Sequence, residues 1–270
     1  NIKERVLIPD RLGKSIEDDD LRVRDRDSPI TREGLIFRVY GYRHPPRSCV
    51  CDVEYAPQGV YRSDDPRSIR QSPSKRYYKF YADGGLQFVV NNYPEYQVLD
   101  KQLQTKLVGL ASEQIVEVRR PGERLDSLMK KDQSSEDKLL GALQDVMDIV
   151  TDNSGLRRRD FGVFGSVLHG FHHPDFSDID LIVYGRRSTQ ILRETLQSLY
   201  YGPRGQLVNE FEDTTKWAEG RHWFFEKISL KDFCELSKRK MIYGIYRSEK
   251  AKRSFKVEFE PVRDWGEINK

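Results

Sequence analysis

From Gly34 onward, apolar and polar positions begin to alternate. Leu35-Ile36-Phe37-Arg38-Val39-Tyr40 reads as a strand and Val50 to Tyr55 as another, joined across His44-Pro45-Pro46. Tyr77 to Tyr81 and Leu86 to Val90 flank Asp83-Gly84-Gly85, the pattern of a β-hairpin. Leu99, Leu103, Leu107 and Leu110 recur at helical spacing and predict a packing helix. Arg119-Arg120-Pro121-Gly122 breaks that pattern, and Lys130 to Asp137 is wholly polar. The chain thus divides into a mainly-β front unit over 1–125 and a second unit over 132–270.

The second unit mixes both periods. Leu139, Leu143, Val146 and Val150 form one stripe of an amphipathic helix that Gly155 would end. Phe161, Val163 and Phe164 predict a short strand, Gly165-Ser166 a turn, and Val167 to Phe171 a short helix. A strand follows in which Ile179, Leu181 and Val183 point into a core. Ser188 caps a helix through Tyr200 that turns Ile191, Leu192, Thr195, Leu196 and Leu199 inward. Gly202-Pro203-Arg204-Gly205 turns into a mixed region with Trp217 and Trp223. Ser229 and Asp232 open a helix with Leu230, Phe233, Leu236 and Met241 buried, and Ser254 to Val262 reads as a last strand. The fold class is α+β.

Composition narrows the setting more than the chemistry. The chain has 270 residues, 37% hydrophobic and 33% charged, which suits a soluble globular protein of about two domains. A net charge of +3 is too small to argue for nucleic acid by itself. No apolar run reaches membrane-spanning length, and the first residues carry no signal-peptide pattern. Cys49, Cys51 and Cys234 form no even framework, so the expected location is a reducing cytoplasm. P-loop, dinucleotide-binding, serine-hydrolase and HExxH patterns are absent.

The chemistry concentrates between Phe161 and Tyr184. Asp178 and Asp180 are two apart on a predicted strand, so both carboxylates face one spot. Like charges that close raise each other's pKa unless a cation sits between them. A divalent metal is the simplest compensation, and hard oxygen ligands suit Mg²⁺ or Mn²⁺. The neighbouring Gly165-Ser166 turn supplies what a phosphate needs, because glycine lets the backbone come close and a helix start offers free N–H groups.

Gly165-Ser166, an eleven-residue spacer and Asp178-Ile179-Asp180, with apolar flanks on both strands, resemble the signature of the DNA polymerase beta-like nucleotidyltransferase superfamily. The resemblance implies a mixed sheet flanked by helices and transfer of a nucleoside monophosphate from an NTP to an acceptor hydroxyl, with release of pyrophosphate. It implies two metal ions on Asp178 and Asp180, and Gly165 and Ser166 as the grip on the β- and γ-phosphates. It also implies a third acidic group on an adjacent strand that completes the metal site and draws a proton from the acceptor. Glu258, between Val257 and Phe259, has the expected setting; Glu260 is the reserve, since Pro261 after it suggests the strand is ending. The acceptor could be an RNA 3′ end, a protein hydroxyl or a small alcohol, and ATP, CTP, GTP and UTP stand equal as donors. The whole chain, including Glu33 to Pro57, is also similar to uncharacterised archaeal proteins with such a domain.

Other clusters have plainer readings. Between Tyr61 and Tyr81, Arg62, Arg67, Arg70, Lys75, Arg76 and Lys79 face only Asp64 and Asp65, interleaved with Tyr77, Tyr78, Phe80 and Tyr81. That mixture suits stacked bases and phosphates, but a solvated loop before a strand is the simpler account. His44, Cys49 and Cys51 lack a clear fourth zinc ligand, so a buried cysteine pair on a strand is preferred. Gly170 and Pro174 interrupt His169, His172 and His173, which suit a wall of the nucleotide pocket better than a metal site. The triplet Asp18-Asp19-Asp20 reads as a solvated linker, Arg157-Arg158-Arg159 as an exposed approach and Lys238-Arg239-Lys240 as a solvated rim. The rival functions are an RNA-binding protein with an inactive nucleotidyltransferase domain and a metal-dependent phosphodiesterase. The second has no need of a triphosphate cradle.

Overall fold

The computed structural model describes residues 21–130, 137–173, 176–203, 205–213 and 225–268. The acidic triplet, Trp217, Trp223, Pro174 and Arg204 lie outside the described residues.

The front unit contains β1 (Ser28–Thr31), β2 (Ile36–Val39), β3 (Ser48–Pro57), β4 (Ile69–Gln71), β5 (Arg76–Lys79), α1 (Gly84–Asn92), β6 (Gln97–Asp100), β7 (Thr105–Ala111) and β8 (Ile115–Arg119). Its strands form one antiparallel sheet in the order β4-β5-β3-β2-β1-β8, with β7 joining β3 to β6. The ten-residue β3 is the hub, pairing β2, β5 and β7. Cys49, Cys51 and Val53 point inward from it and pack with Phe37, Val89 and Leu110. The buried cysteine pair is as expected, and His44 Nδ1 accepts the Val50 N–H at 3.2 Å.

Two predictions in this unit fail, for local reasons. Leu86 to Val90 belongs to helix α1 rather than to a hairpin. Gly85 is there for packing: a Cβ on it would lie 2.7 Å from the Val53 carbonyl oxygen. With Phe88 and Val89 it makes an i, i+3, i+4 face that meets Phe80 and Tyr61. The leucines from 99 to 110 lie on the hairpin β6–β7, not on a helix. Asp100 Oδ1 accepts the N–H groups of Gln102 and Leu103, and Gln104 takes a left-handed φ of 50°. That turn overrides the fourfold spacing and leaves Leu99 and Leu103 more than half exposed.

The second unit contains α2 (Pro121–Lys130), α3 (Lys138–Ser154), β9 (Phe161–Val163), α4 (Gly165–His169), β10 (Ile179–Tyr184), α5 (Arg186–Tyr200), β11 (Leu207–Asn209), α6 (Leu230–Lys240), β12 (Tyr243–Ser248), β13 (Arg253–Val262) and α7 (Trp265–Ile268). The sheet order among the described residues is β11-β12-β13-β10-β9. It is mixed, because β10 and β13 run parallel while the other pairs are antiparallel. This is an α+β chain with a β-rich front.

One sheet face takes the helices. Leu125 and Leu128 of α2, the α3 stripe with Met147, and Leu192 and Leu196 of α5 cover Phe161, Val163, Ile179, Leu181, Val183, Val257 and Phe259. Pro121, read in the sequence as a break, opens α2, where its missing N–H costs nothing. Gly155 ends α3 at φ 70°, as expected. Two smaller expectations are corrected. Gly185, not Ser188, occupies the N-cap of α5. On α6, Leu236 is 55% exposed, Leu230, Phe233 and Met241 are half-buried, and Cys234 and Ser237 are the buried residues.

The other face meets the front unit. Ile182, Tyr184 and Val262 pack with Tyr42, and Phe171 packs with Tyr55, Ile30 and Ile36. Arg26 donates to Glu260 at 2.6 Å, and the Arg24 guanidinium stacks 3.6 Å from the Tyr184 ring. The apolar part of this contact stops short of Asp180, and a cleft opens there. Among the described residues, no helix is long and apolar enough to cross a membrane.

Candidate active site

Strand pairing brings the predicted residues together. Leu181 of β10 pairs Val163 of β9, and the Phe164 N–H donates to the Asp180 carbonyl at 3.0 Å. The next residue, Gly165, turns at φ 61°. A Cβ at Gly165 would lie 2.5 Å from Asp180 Oδ2, so only glycine lets that carboxylate rest against the turn. Ser166 is buried, and its Oγ shares a 3.3 Å hydrogen bond with Ser177 Oγ, which also accepts the His173 N–H at 2.8 Å. With only five residues, α4 supplies little dipole.

On the other side of β10, β13 places Glu258 directly opposite Asp180 and Glu260 opposite Ile182. Glu260 is engaged by Arg26, whereas Glu258 lines the cleft with Asp178 and Asp180. Pro261 does not end the strand. Phe259 is the last residue to donate toward β12, so the proline's missing N–H falls where that neighbour has stopped.

The cleft has a volume of about 710 Å³. Burial pushes the Asp180 carboxyl up to about 7, with the charge of Asp178 adding to it and Lys79 opposing. Glu258 is pushed up to about 8 by burial, then by its hydrogen bond to Glu260 and the charges of Glu260 and Asp180. Asp178, at the open end, is raised by lost hydration, with Lys256 pulling it down and Glu210 pushing it up. These carboxylates resist ionisation because burial strips their hydration and other carboxylates stand close by. Among the described residues, no group of three or more His, Cys, Asp and Glu side chains is gathered closely enough to hold a metal ion. The donor chemistry nonetheless suits a hard divalent cation, because Asp178, Asp180 and Glu258 offer carboxylate oxygens only.

The second wall comes from the front unit. Arg38 and Glu54, paired at 3.0 Å across β2 and β3, line it together with Arg67, Arg70, Lys79 and Tyr81. The last four belong to the basic, aromatic stretch, most of which is exposed between Arg62 and Arg76 while Tyr78 and Phe80 turn into the core. Arg38 and Glu54 carry no local signal and were not legible in the sequence.

Of the three histidines, only His173 lines the cleft. His169 is buried against Tyr55 and Phe171, and burial with the nearby Arg119 and Arg124 charges holds its pKa well below the usual range. His172 bonds to Asp137 at 2.9 Å. The arginines at 157 to 159 are exposed, as expected.

Residues 143–246 match the family described as nucleotidyltransferase domain, a span that includes Gly165, Ser166, Asp178 and Asp180 and stops before Glu258. An uncharacterised protein of Methanocaldococcus jannaschii is 24% identical over 251 residues, 92% of this chain and 70% of that protein. No solved structure matches. Residues 143–246 therefore form a nucleotidyltransferase domain of the DNA polymerase beta-like superfamily.

Proposed function

We propose that the protein is a metal-dependent nucleotidyltransferase that moves a nucleoside monophosphate from an NTP to an acceptor hydroxyl. The observation that carries this reading is the Asp180 carboxylate, set against the Gly165 turn on one side and in register with Glu258 on the other. Asp178, Asp180 and Glu258 would hold two Mg²⁺ or Mn²⁺ ions, which when bound supply charge stabilisation for the entering and leaving oxygens. The Gly165 N–H and the Ser166 hydroxyl grip the β- and γ-phosphates. Glu258 would assist removal of the proton from the acceptor hydroxyl. The hydroxyl oxygen attacks the α-phosphorus in line, the bond to the bridging oxygen breaks, and pyrophosphate leaves. Positioning and charge supply the catalysis. The three cysteines, free and buried, suit a cytoplasmic setting.

The test is incubation with each α-labelled triphosphate, Mg²⁺ and total RNA or protein extract. Label is expected to enter one acceptor class with the wild type and not with Asp178→Asn. Absence of transfer from all four triphosphates to both extracts counts against the reading. Ser166→Ala is expected to weaken NTP binding by about 1–3 kcal/mol, the worth of a charge-assisted hydrogen bond, as read by titration calorimetry.

A second reading is an RNA-binding protein whose nucleotidyltransferase domain is inactive. It is favoured by the ungathered carboxylates beside a basic, aromatic wall. Salt-dependent RNA affinity that survives Asp178→Asn, without any transfer, would support it.

A further inference from the structure

We propose that the front β unit completes the nucleotide site, with Lys79 and Arg70 binding the polyphosphate chain across the cleft from Gly165 and Ser166. The inference rests on the nucleotidyltransferase reading above and gives the front unit a part in it. Lys79 ends β5, opposite Tyr55 of β3. Tyr77, two residues earlier and hence on the same side of the strand, packs 5.3 Å from Phe171, just beyond α4. The docking contact that joins the two units therefore delivers Lys79 to the cleft beside the Gly165-Ser166 turn. Arg70 pairs with Tyr77 in the β4–β5 register and lines the same cleft.

The ion pairs of this wall single out these two cations. Arg38 is held by Glu54 at 3.0 Å and Arg67 by Asp65 at 2.7 Å. Lys79 and Arg70 make no ion pair among the described residues, and Arg70 Nε is buried without a hydrogen-bond partner. Both sit on a prepared support. Arg70 donates from one terminal nitrogen to the Arg67 and Ile69 carbonyls, and Lys79 Nζ lies 5.6 Å from the Tyr81 ring, whose hydroxyl donates to the Arg67 carbonyl. A triphosphate brings further negative charge over a floor of three carboxylates, and uncommitted cations facing that floor are what it needs.

The experiment measures the affinity of full-length protein for inorganic tripolyphosphate and for each of the four NTPs, with Mg²⁺, by calorimetry. Steady-state KM and kcat are taken alongside once an acceptor is in hand. Lys79→Ala is expected to weaken tripolyphosphate and all four NTPs alike, by about 10–100-fold, as loss of a charged phosphate contact does. KM should rise with kcat little changed, Lys79→Arg should recover most of the loss, and Arg70→Gln should lose affinity in the same pattern. Unchanged affinity in both Lys79→Ala and Arg70→Gln overturns the inference and leaves the function intact. So does a loss confined to one base, or one that Lys79→Arg does not recover. A wild type that binds neither tripolyphosphate nor any NTP sinks the nucleotidyltransferase reading itself, and this inference with it.

Discussion

Asp180→Asn is expected to lower nucleotidyl transfer by roughly 10³-fold or more while making the metal-free protein more stable at pH 8. The loss follows from removing the central charge that faces both the Gly165 turn and Glu258. The gain follows from linkage. Asp180 rises from 3.8 unfolded to about 7 folded, so the folded state holds its proton more tightly. Its contribution to stability is therefore fully present below about pH 4 and is lost as the pH rises through 7. Because water reaches the cleft, the effect is on the order of 1–3 kcal/mol rather than the full shift. Thermal melts from pH 4 to 9 without metal should slope downward in the wild type, and less so in the asparagine variant. Glu258, at about 8, and Asp27, at about 6, contribute to the remaining slope. Added Mg²⁺ should raise the wild-type midpoint at pH 8 more than that of the variant. Transfer within tenfold of wild type would remove Asp180 from the chemistry, whatever the melts show.

Gly165→Ala carries the second large effect. At φ 61° an alanine costs about 1–2 kcal/mol, and its Cβ would stand 2.5 Å from Asp180 Oδ2, so the carboxylate has to move. Displacing a reacting group by about an ångström costs roughly 10²-fold in rate. The control is Gly155→Ala at the end of α3, where φ is 70° and nothing lies within 4 Å of the added carbon. That variant should lose similar stability and keep its activity. Equal activity losses in both variants would mean that the Gly165 contact with Asp180 has no special role.

The Gly165 contact also shows how sequence and structure divide the information. Local pattern marked the Gly-Ser turn and the two aspartates, and the resemblance joined them, because the whole stretch from Gly165 to Asp180 is short and depends on local strand alternation. The α3 stripe and its glycine end were legible for the same reason. Where tertiary contact competes with a local pattern, the pattern misleads. Leu99 to Leu110 kept helical spacing on a hairpin, and Gly84-Gly85 looked like a turn although Gly85 serves a close approach to β3.

The choice between Glu258 and Glu260 was open in the sequence, since both lie on one face of one strand. The parallel register places the first opposite Asp180, and Arg26, 234 residues away in the chain, occupies the second. The sequence by itself determined a Gly-Ser turn and a carboxylate pair within one strand–helix–strand stretch, because alternation along a strand is a property of neighbours. Only the tertiary structure decided that Arg38, Glu54, Arg70 and Lys79 from the front sheet wall the same cleft. Docking of Tyr55 and Tyr77 on Phe171 sets that juxtaposition, and no spacing within either segment encodes it.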